Sequence, residues 1–235
     1  MSYNYTTYKL ALQTLIASQS PDVDFDNILP SCIDYAEQRI YRELNLLQTV
    51  QGDVSLTCVV GQRTYTIPDS FVAVNIFSVL TPAGATETTG NRASLVPVSL
   101  DAINFLWPGD PTVTGLPVMF AMQDQWTVIV GPPPDATYNI EIIGTYRPTP
   151  LSSANPTTFL TDRLPDLFMA ASMVFMSGYM RNFGTQASDP QMGMSWEQQY
   201  KTLFESANGE ELRKHYWASS WSAYPVSPAA QPQRG

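Results

Sequence analysis

The sequence predicts an α+β protein: an antiparallel bundle of about four helices, a small antiparallel β-sandwich or barrel inserted into it, and an extended C-terminal tail. Three observations carry this expectation. Apolar residues recur at helical spacing from Asp26 to Leu47 and return to that spacing only after Leu164. The stretch between them alternates at period two and is punctuated by Gly and Pro, and the end of the chain crowds aromatics and prolines without an apolar stripe. The expected boundaries are 1–48 and 160–214 for the bundle, 49–159 for the insert and 215–235 for the tail.

The first helix is expected from Tyr5 to Ser18, where Tyr8, Leu12, Leu15 and Ile16 share one face. Ser20-Pro21-Asp22 breaks it, and Asp24 or Asp26 is placed to cap a second helix with Pro30 still near its first turn. Ile33, Ala36, Glu37, Ile40, Tyr41, Leu44 and Leu47 then follow the i, i+3, i+4, i+7 rule, with Arg39, Arg42 and Glu43 mostly on the opposite face.

After Gly52 the period changes. Val54, Leu56 and Cys58 alternate with Ser55 and Thr57, and Gly61-Gln62 can turn the chain into Arg63–Ile67, which reads as a hairpin. Phe71–Leu80 is rich in β-branched and aromatic residues, and the small, polar run from Thr81 to Arg92 reads as a mobile loop, part of a longer loop reaching Thr114. Strand patterns resume at Val118–Met122, Trp126–Val130 and Tyr138–Tyr146, separated by Asp124-Gln125 and Gly131-Pro132-Pro133-Pro134.

The third bundle helix, Leu164 to Met180, is apolar nearly all round. It is too short for a membrane span, which needs about 20 apolar residues, so it reads as the central helix of the bundle. The fourth begins near Ser188, with Asp189 as cap and Pro190 first, stripes Trp196, Tyr200, Leu203, Phe204 and Ala207, and is expected to end near Lys214 with a possible bend at Gly209. Beyond it, His215, Tyr216, Trp217, Trp221, Tyr224 and Pro225 lie in a polar, Pro-rich setting that forms no core. Large aromatics anchor interfaces, so this segment is expected to order on a partner; the alternative is that Trp217 and Trp221 fold back on the chain's own bundle.

Composition excludes several functions. With 12 basic against 21 acidic residues the formal net charge is −9, which opposes adhesion to nucleic acid or anionic membranes. The start of the chain lacks a charged segment followed by an apolar core, so no signal peptide and no membrane association are expected, and synthesis in the cytoplasm is the default. Cys32 and Cys58 fall in different expected elements and read as buried small hydrophobes, a disulfide remaining the alternative.

The motifs of chemistry are missing. The sequence holds no Gly-x-Ser-x-Gly elbow, phosphate loop, His-Glu-x-x-His or Cys-x-x-Cys, and its single histidine, His215, adjoins the tail, where catalytic geometry is hard to hold. Asp22-Val23-Asp24-Phe25-Asp26 superficially imitates a calcium loop. Asn27 stands where the turn glycine belongs and Ile33 where the bidentate acid belongs, so helix capping explains the run better. No catalytic residue, cofactor or metal is expected.

Phe25-Asp26-Asn27-Ile28-Leu29-Pro30 leading into Ala36-Glu37-Gln38-Arg39-Ile40 and Arg42-Glu43-Leu44 resembles the second helix of the head-to-tail connector, or adaptor, proteins of tailed bacteriophages. Tyr65–Phe71, Phe120-Ala121, Gly131–Asp135, Tyr146-Arg147-Pro148 with Pro150-Leu151-Ser152, and Leu164–Leu167 extend the resemblance over about residues 5 to 215. It implies a structural virion protein at the head-tail junction, assembled in the host cytoplasm as a ring of about twelve copies beneath the portal protein. A tail protein such as a nozzle, stopper or tail-completion protein would lie below, and DNA would pass through the channel without specific binding. On that resemblance His215, Tyr216, Trp217, Trp221, Tyr224 and Pro225 are the expected portal-binding residues, and Arg39, Arg42, Glu43 and Arg181 are candidates for contacts between subunits.

Two other classes stay open at this point. A carbohydrate-binding or tail-fibre-like module would expose Trp107 and Trp126 on the β domain. A hydrolase would draw a carboxylate pair from Asp101, Asp110, Asp124, Asp135 and Glu141.

Overall fold

The structure is a computed structural model that describes residues 2–16, 22–108, 113–180 and 190–218. The chain divides into two compact units, one formed by Met1–Leu47 with Thr149–Gly235 and the other by Gln48–Pro148. Residues 149–159, assigned to the insert by the sequence reading, fall with the helices.

In the helical unit, α1 spans Tyr5–Leu15 and α2 spans Val23–Glu43. Asn4 and Thr7 form a reciprocal cap on α1: Asn4 Oδ1 accepts the Thr7 N–H at 2.8 Å and Thr7 Oγ1 accepts the Asn4 N–H at 2.9 Å. The cap of α2 is Asp22, which accepts the N–H groups of Asp24 and Phe25. Neither Asp24 nor Asp26 has that role. The helix therefore starts earlier than expected, and Pro30 lies well inside it, where it removes one helical donor while Leu29 and Ile33 beside it are buried. It also stops earlier. Leu44 is extended, and the buried Leu44 and Leu46 flank an exposed Asn45, so the apolar period switches from helix to extended chain before Leu47.

The chain re-enters through α4 (Phe159–Arg163), turns into α5 (Pro165–Met180) and returns in α6 (Pro190–Ala218). Pro165 opens α5, where its missing N–H costs nothing. Leu167, Phe168, Ala170, Ala171, Met173 and Met176 of α5 are buried, and the helix packs against both α2 and α6, which explains why it has no polar face. Tyr8 stacks on Phe168 with ring centres 4.6 Å apart, and its hydroxyl shares a 2.6 Å hydrogen bond with Ser172. None of the described helices is long and apolar enough to cross a membrane. The last helix runs four residues past its expected end, so His215, Tyr216 and Trp217 belong to a helix and not to an extended tail.

In the other unit, β1 (Val50–Asp53), β2 (Thr64–Thr66), β3 (Phe71–Thr81), β4 (Asn91–Ser94), β5 (Val96–Pro97), a short α3 (Leu100–Leu106), β6 (Met119–Met122), β7 (Thr127–Gly131) and β8 (Ile140–Tyr146) form two sheets. Their orders are β1-β8-β3-β4 and β2-β7-β6-β5. Buried residues from both meet in one cluster: Phe77, Val79, Ile140 and Ile142 from the first sheet, Tyr65, Val128 and Val130 from the second.

Four expectations change here. The sheets do not close into a barrel, and β5 pairs with β6 in parallel, so the second sheet is mixed. The expected hairpin of Val54–Cys58 with Arg63–Ile67 is not formed: residues 54–58 bond to the approach of β8, through Cys58 N–H to Tyr138 O and Ile140 N–H to Leu56 O, whereas β2 pairs with β7. Alternation alone states which face is buried, not which strand is the neighbour. The run 81–114, read as one long loop, contains β4, β5 and α3. Its first part is a bonded turn between β3 and β4, closed by Gly90 N–H to Thr86 O at 2.8 Å and by the Thr86 and Thr89 hydroxyls at 2.9 Å.

Candidate docking and assembly site

Among the described residues, the end of α6 carries the best-exposed aromatics of the helical unit. Trp217 is 86% exposed and Tyr216 65%, with Leu212 half exposed one turn before Tyr216. One face of the same turns is held down. Glu211, buried at 2% exposure, accepts the Leu47 N–H at 3.1 Å and the Lys214 ammonium at 2.6 Å, and His215 Nε2 lies 2.8 Å from the carbonyl oxygen of Asn45. Burial would lower the Lys214 pKa, but Glu210 and Glu211 outweigh it and the net shift is upward. Tyr216 and Trp217 are thus presented by a helix whose other face is fastened. Trp221, Tyr224 and Pro225 lie outside the described residues.

Of the residues considered for contacts between subunits, Arg39, Arg42 and Glu43 make bonds within the chain. Arg39 of α2 forks onto Glu197 of α6, with Nη1 to Oε2 at 2.8 Å and Nη2 to Oε1 at 2.7 Å, while Nε donates to Glu43 at 3.1 Å. Its guanidinium lies 4.0 Å over the Tyr200 ring, and the Tyr200 hydroxyl donates to Glu43 at 2.6 Å. The pairing with Glu197 raises the Arg39 pKa and holds the Glu197 carboxyl below its ordinary range. Arg42 is exposed and donates to the backbone and side chain of Gln38, and Arg181 lies outside the described residues. The partners Glu197, Tyr200 and Glu211 were not singled out as functional in the sequence. Glu211 had a signal: it continues the core-facing stripe of Tyr200, Phe204 and Ala207 at helical spacing, and Glu37 likewise falls between Ile33 and Ile40.

The residues named for other chemistry are separately committed. Trp107 is half-buried against Ile103, Ala121 and Ile129, so close over Gly131 that a Cβ there would lie 2.5 Å from its ring. Trp126 is also half-buried, at a turn where Asp124 accepts its N–H and that of Thr127 at 2.8 Å. Those bonds, the one from Trp126 first, depress the Asp124 pKa. Asp135 accepts the Tyr138 hydroxyl, and Glu141 makes a two-pronged pair with Arg92 at 2.6 and 2.8 Å. Asp101 lies in the first turn of α3, and Asp110 is outside the described residues. None of these bonds joins two carboxylates. Cys32 and Cys58 are both buried free thiols, with burial raising their pKa to about 12 and about 11. Among the described residues no group of three or more His, Cys, Asp or Glu is arranged to hold a metal ion.

The helical unit is interrupted in sequence by a two-sheet insert, several of its charged side chains are tied into ion pairs, and aromatics are displayed at one helix end. The family model described as the SU10 adaptor protein matches residues 3–228, and the chain belongs to that family. It is a bacteriophage adaptor and hence a virion component, and that family is not a class of enzyme. No curated protein matches the chain.

Proposed function

We propose that the protein is the head-to-tail connector of its virion, assembling as a ring of about twelve copies beneath the portal protein, extending the DNA channel and offering a platform to the tail protein below. The observation that carries this reading is the match to the adaptor family over residues 3–228. The exposed Tyr216 and Trp217 support the upper contact: aromatic anchors of this kind supply most of the binding energy at interfaces, and they continue into a segment containing Trp221 and Tyr224. The net charge of −9 supports the channel role, because DNA binding strength grows with the phosphates that Lys and Arg neutralise. DNA then slides past without sticking.

Ring closure requires head-to-tail contacts that use two different patches of each copy. With Arg39 and Glu43 engaged internally, Arg42 on the exposed side of α2 is the better candidate among the residues named, and Arg181 is a second. Sedimentation of the purified chain with the portal ring of the same genome tests the upper contact. Co-sedimentation that is lost when the chain is cut after Ala218 or when Trp217 is changed to Ala supports it; a cut chain that still binds with unchanged affinity removes the aromatic segment from the interface.

A further inference from the structure

The chain leaves the helical unit through residues 45–47 and comes back at residue 149. Each crossing is held by a buried carboxylate of the helices. On the return side Glu37, 3% exposed, accepts the Leu151 N–H at 3.0 Å. On the outgoing side the grip comes from the last turns of α6: Glu211 accepts the Leu47 N–H, His215 bonds to Asn45 O, and Lys214 neutralises Glu211. Leu46 lies between the two gripped residues at 1% exposure.

We propose that the last turns of α6 and the stem 45–47 form one latch that opens and closes as a unit, so that capture of Tyr216 and Trp217 by a partner also orders the stem leading into β1. The physical reason is mutual dependence. If the end of α6 frays, Leu47, next to the buried Leu46, loses the acceptor of its N–H; if the stem lifts, the buried Glu211 has one donor fewer. Neither half opens cheaply alone. Glu37 holds the other crossing through a different helix, so the latch is specific to the outgoing stem. The clause about the partner rests on the portal reading above, but the coupling itself does not.

Hydrogen exchange on the full chain tests it. In Glu211→Ala, which removes the bonds to Leu47 and Lys214, exchange accelerates by at least about tenfold and by the same factor in peptides covering 44–50 and 208–218, while α2 is unchanged. Acceleration in only one of the two peptides overturns the latch. If Glu211→Ala loosens α2 as well, His215→Ala decides: it removes only the bond to Asn45 O, and must speed both peptides together by a common factor. In Glu37→Gln neither peptide changes. With the portal ring added to the wild-type chain, both peptides slow together. Binding that slows 208–218 alone overturns the coupling, whereas a portal that does not bind contradicts the docking reading and leaves the variants to decide the latch.

Discussion

Replacing Glu37 with Gln removes a titration that the fold itself creates. The carboxyl is buried on α2 and burial pushes its pKa from 4.5 up to about 7, with the Leu151 N–H opposing the rise and the Asp34 charge adding to it. Tyr8 also feels the Glu37 charge, and its hydroxyl, raised by burial first, stays neutral over the range considered. Because the folded-state pKa exceeds the unfolded value, the folded chain binds this proton more tightly. The resulting stability is fully present below about pH 4.5 and is lost as pH rises through about 7. A shift from 4.5 to about 7 corresponds to roughly 3 kcal/mol of pH-dependent stability. Gln retains an oxygen to accept the Leu151 N–H but cannot titrate. Urea unfolding followed by far-ultraviolet circular dichroism, at about pH 5 and about pH 8 for both proteins, reads the difference. Because part of the loss has already occurred at pH 5, the wild-type chain should lose roughly 2.5 kcal/mol relative to Glu37→Gln between those two conditions. A gap between the two proteins that does not change with pH refutes the buried-carboxylate argument.

Four further outcomes follow from the geometry. Arg39→Lys keeps the charge but not the fork onto Glu197 or the contact over Tyr200, and should cost about 1 to 2 kcal/mol in urea unfolding, with Tyr200→Phe costing about 1 kcal/mol through the lost bond to Glu43. Gly144→Ala should destabilise the β unit by more than about 2 kcal/mol, seen as an earlier thermal transition, because a Cβ there collides with the Ala73 carbonyl where the register of β3 shifts. Trp217→Ala should leave the melting temperature within about 1 °C of wild type, since the side chain is 86% exposed, while weakening portal binding by at least about tenfold.

What the sequence revealed and what it concealed divide along physical lines. The helices were legible because their apolar stripes are long: Tyr8 and Leu12, and the run from Phe25 to Ile40, declare a period of 3.6 whatever they pack on. Helix ends were less legible. Pro30 drew the expected start of α2 too far along the chain, and the switch to extended backbone at Leu44 is visible only as a change of period over two leucines. In the insert, faces could be read but partners could not: Cys58 and Leu56 bond to the approach of β8, more than eighty residues away by the Thr57–Asn139 bridge, and no local signal announces that pairing. The site shows the same split. Tyr216 and Trp217 were legible by type alone, yet their placement on a helix, fastened by Glu211 and His215, depends on a stem more than 160 residues earlier, the separation of Leu47 from Glu211. The ion pairs of Arg39 with Glu197 likewise join distant segments, and a charged residue on the polar face of a helix reads the same whether it meets its own chain or a neighbour's.

The central claim is that this adaptor forms a ring on the portal through the end of α6 and the segment that follows. Native mass spectrometry with negative-stain imaging of the purified chain mixed with the portal ring tests it most directly. The account predicts a saturable ring-on-ring complex with about one copy per portal subunit, absent when the chain is cut after Ala218. A folded chain and an intact portal that form no complex at any ratio would contradict it.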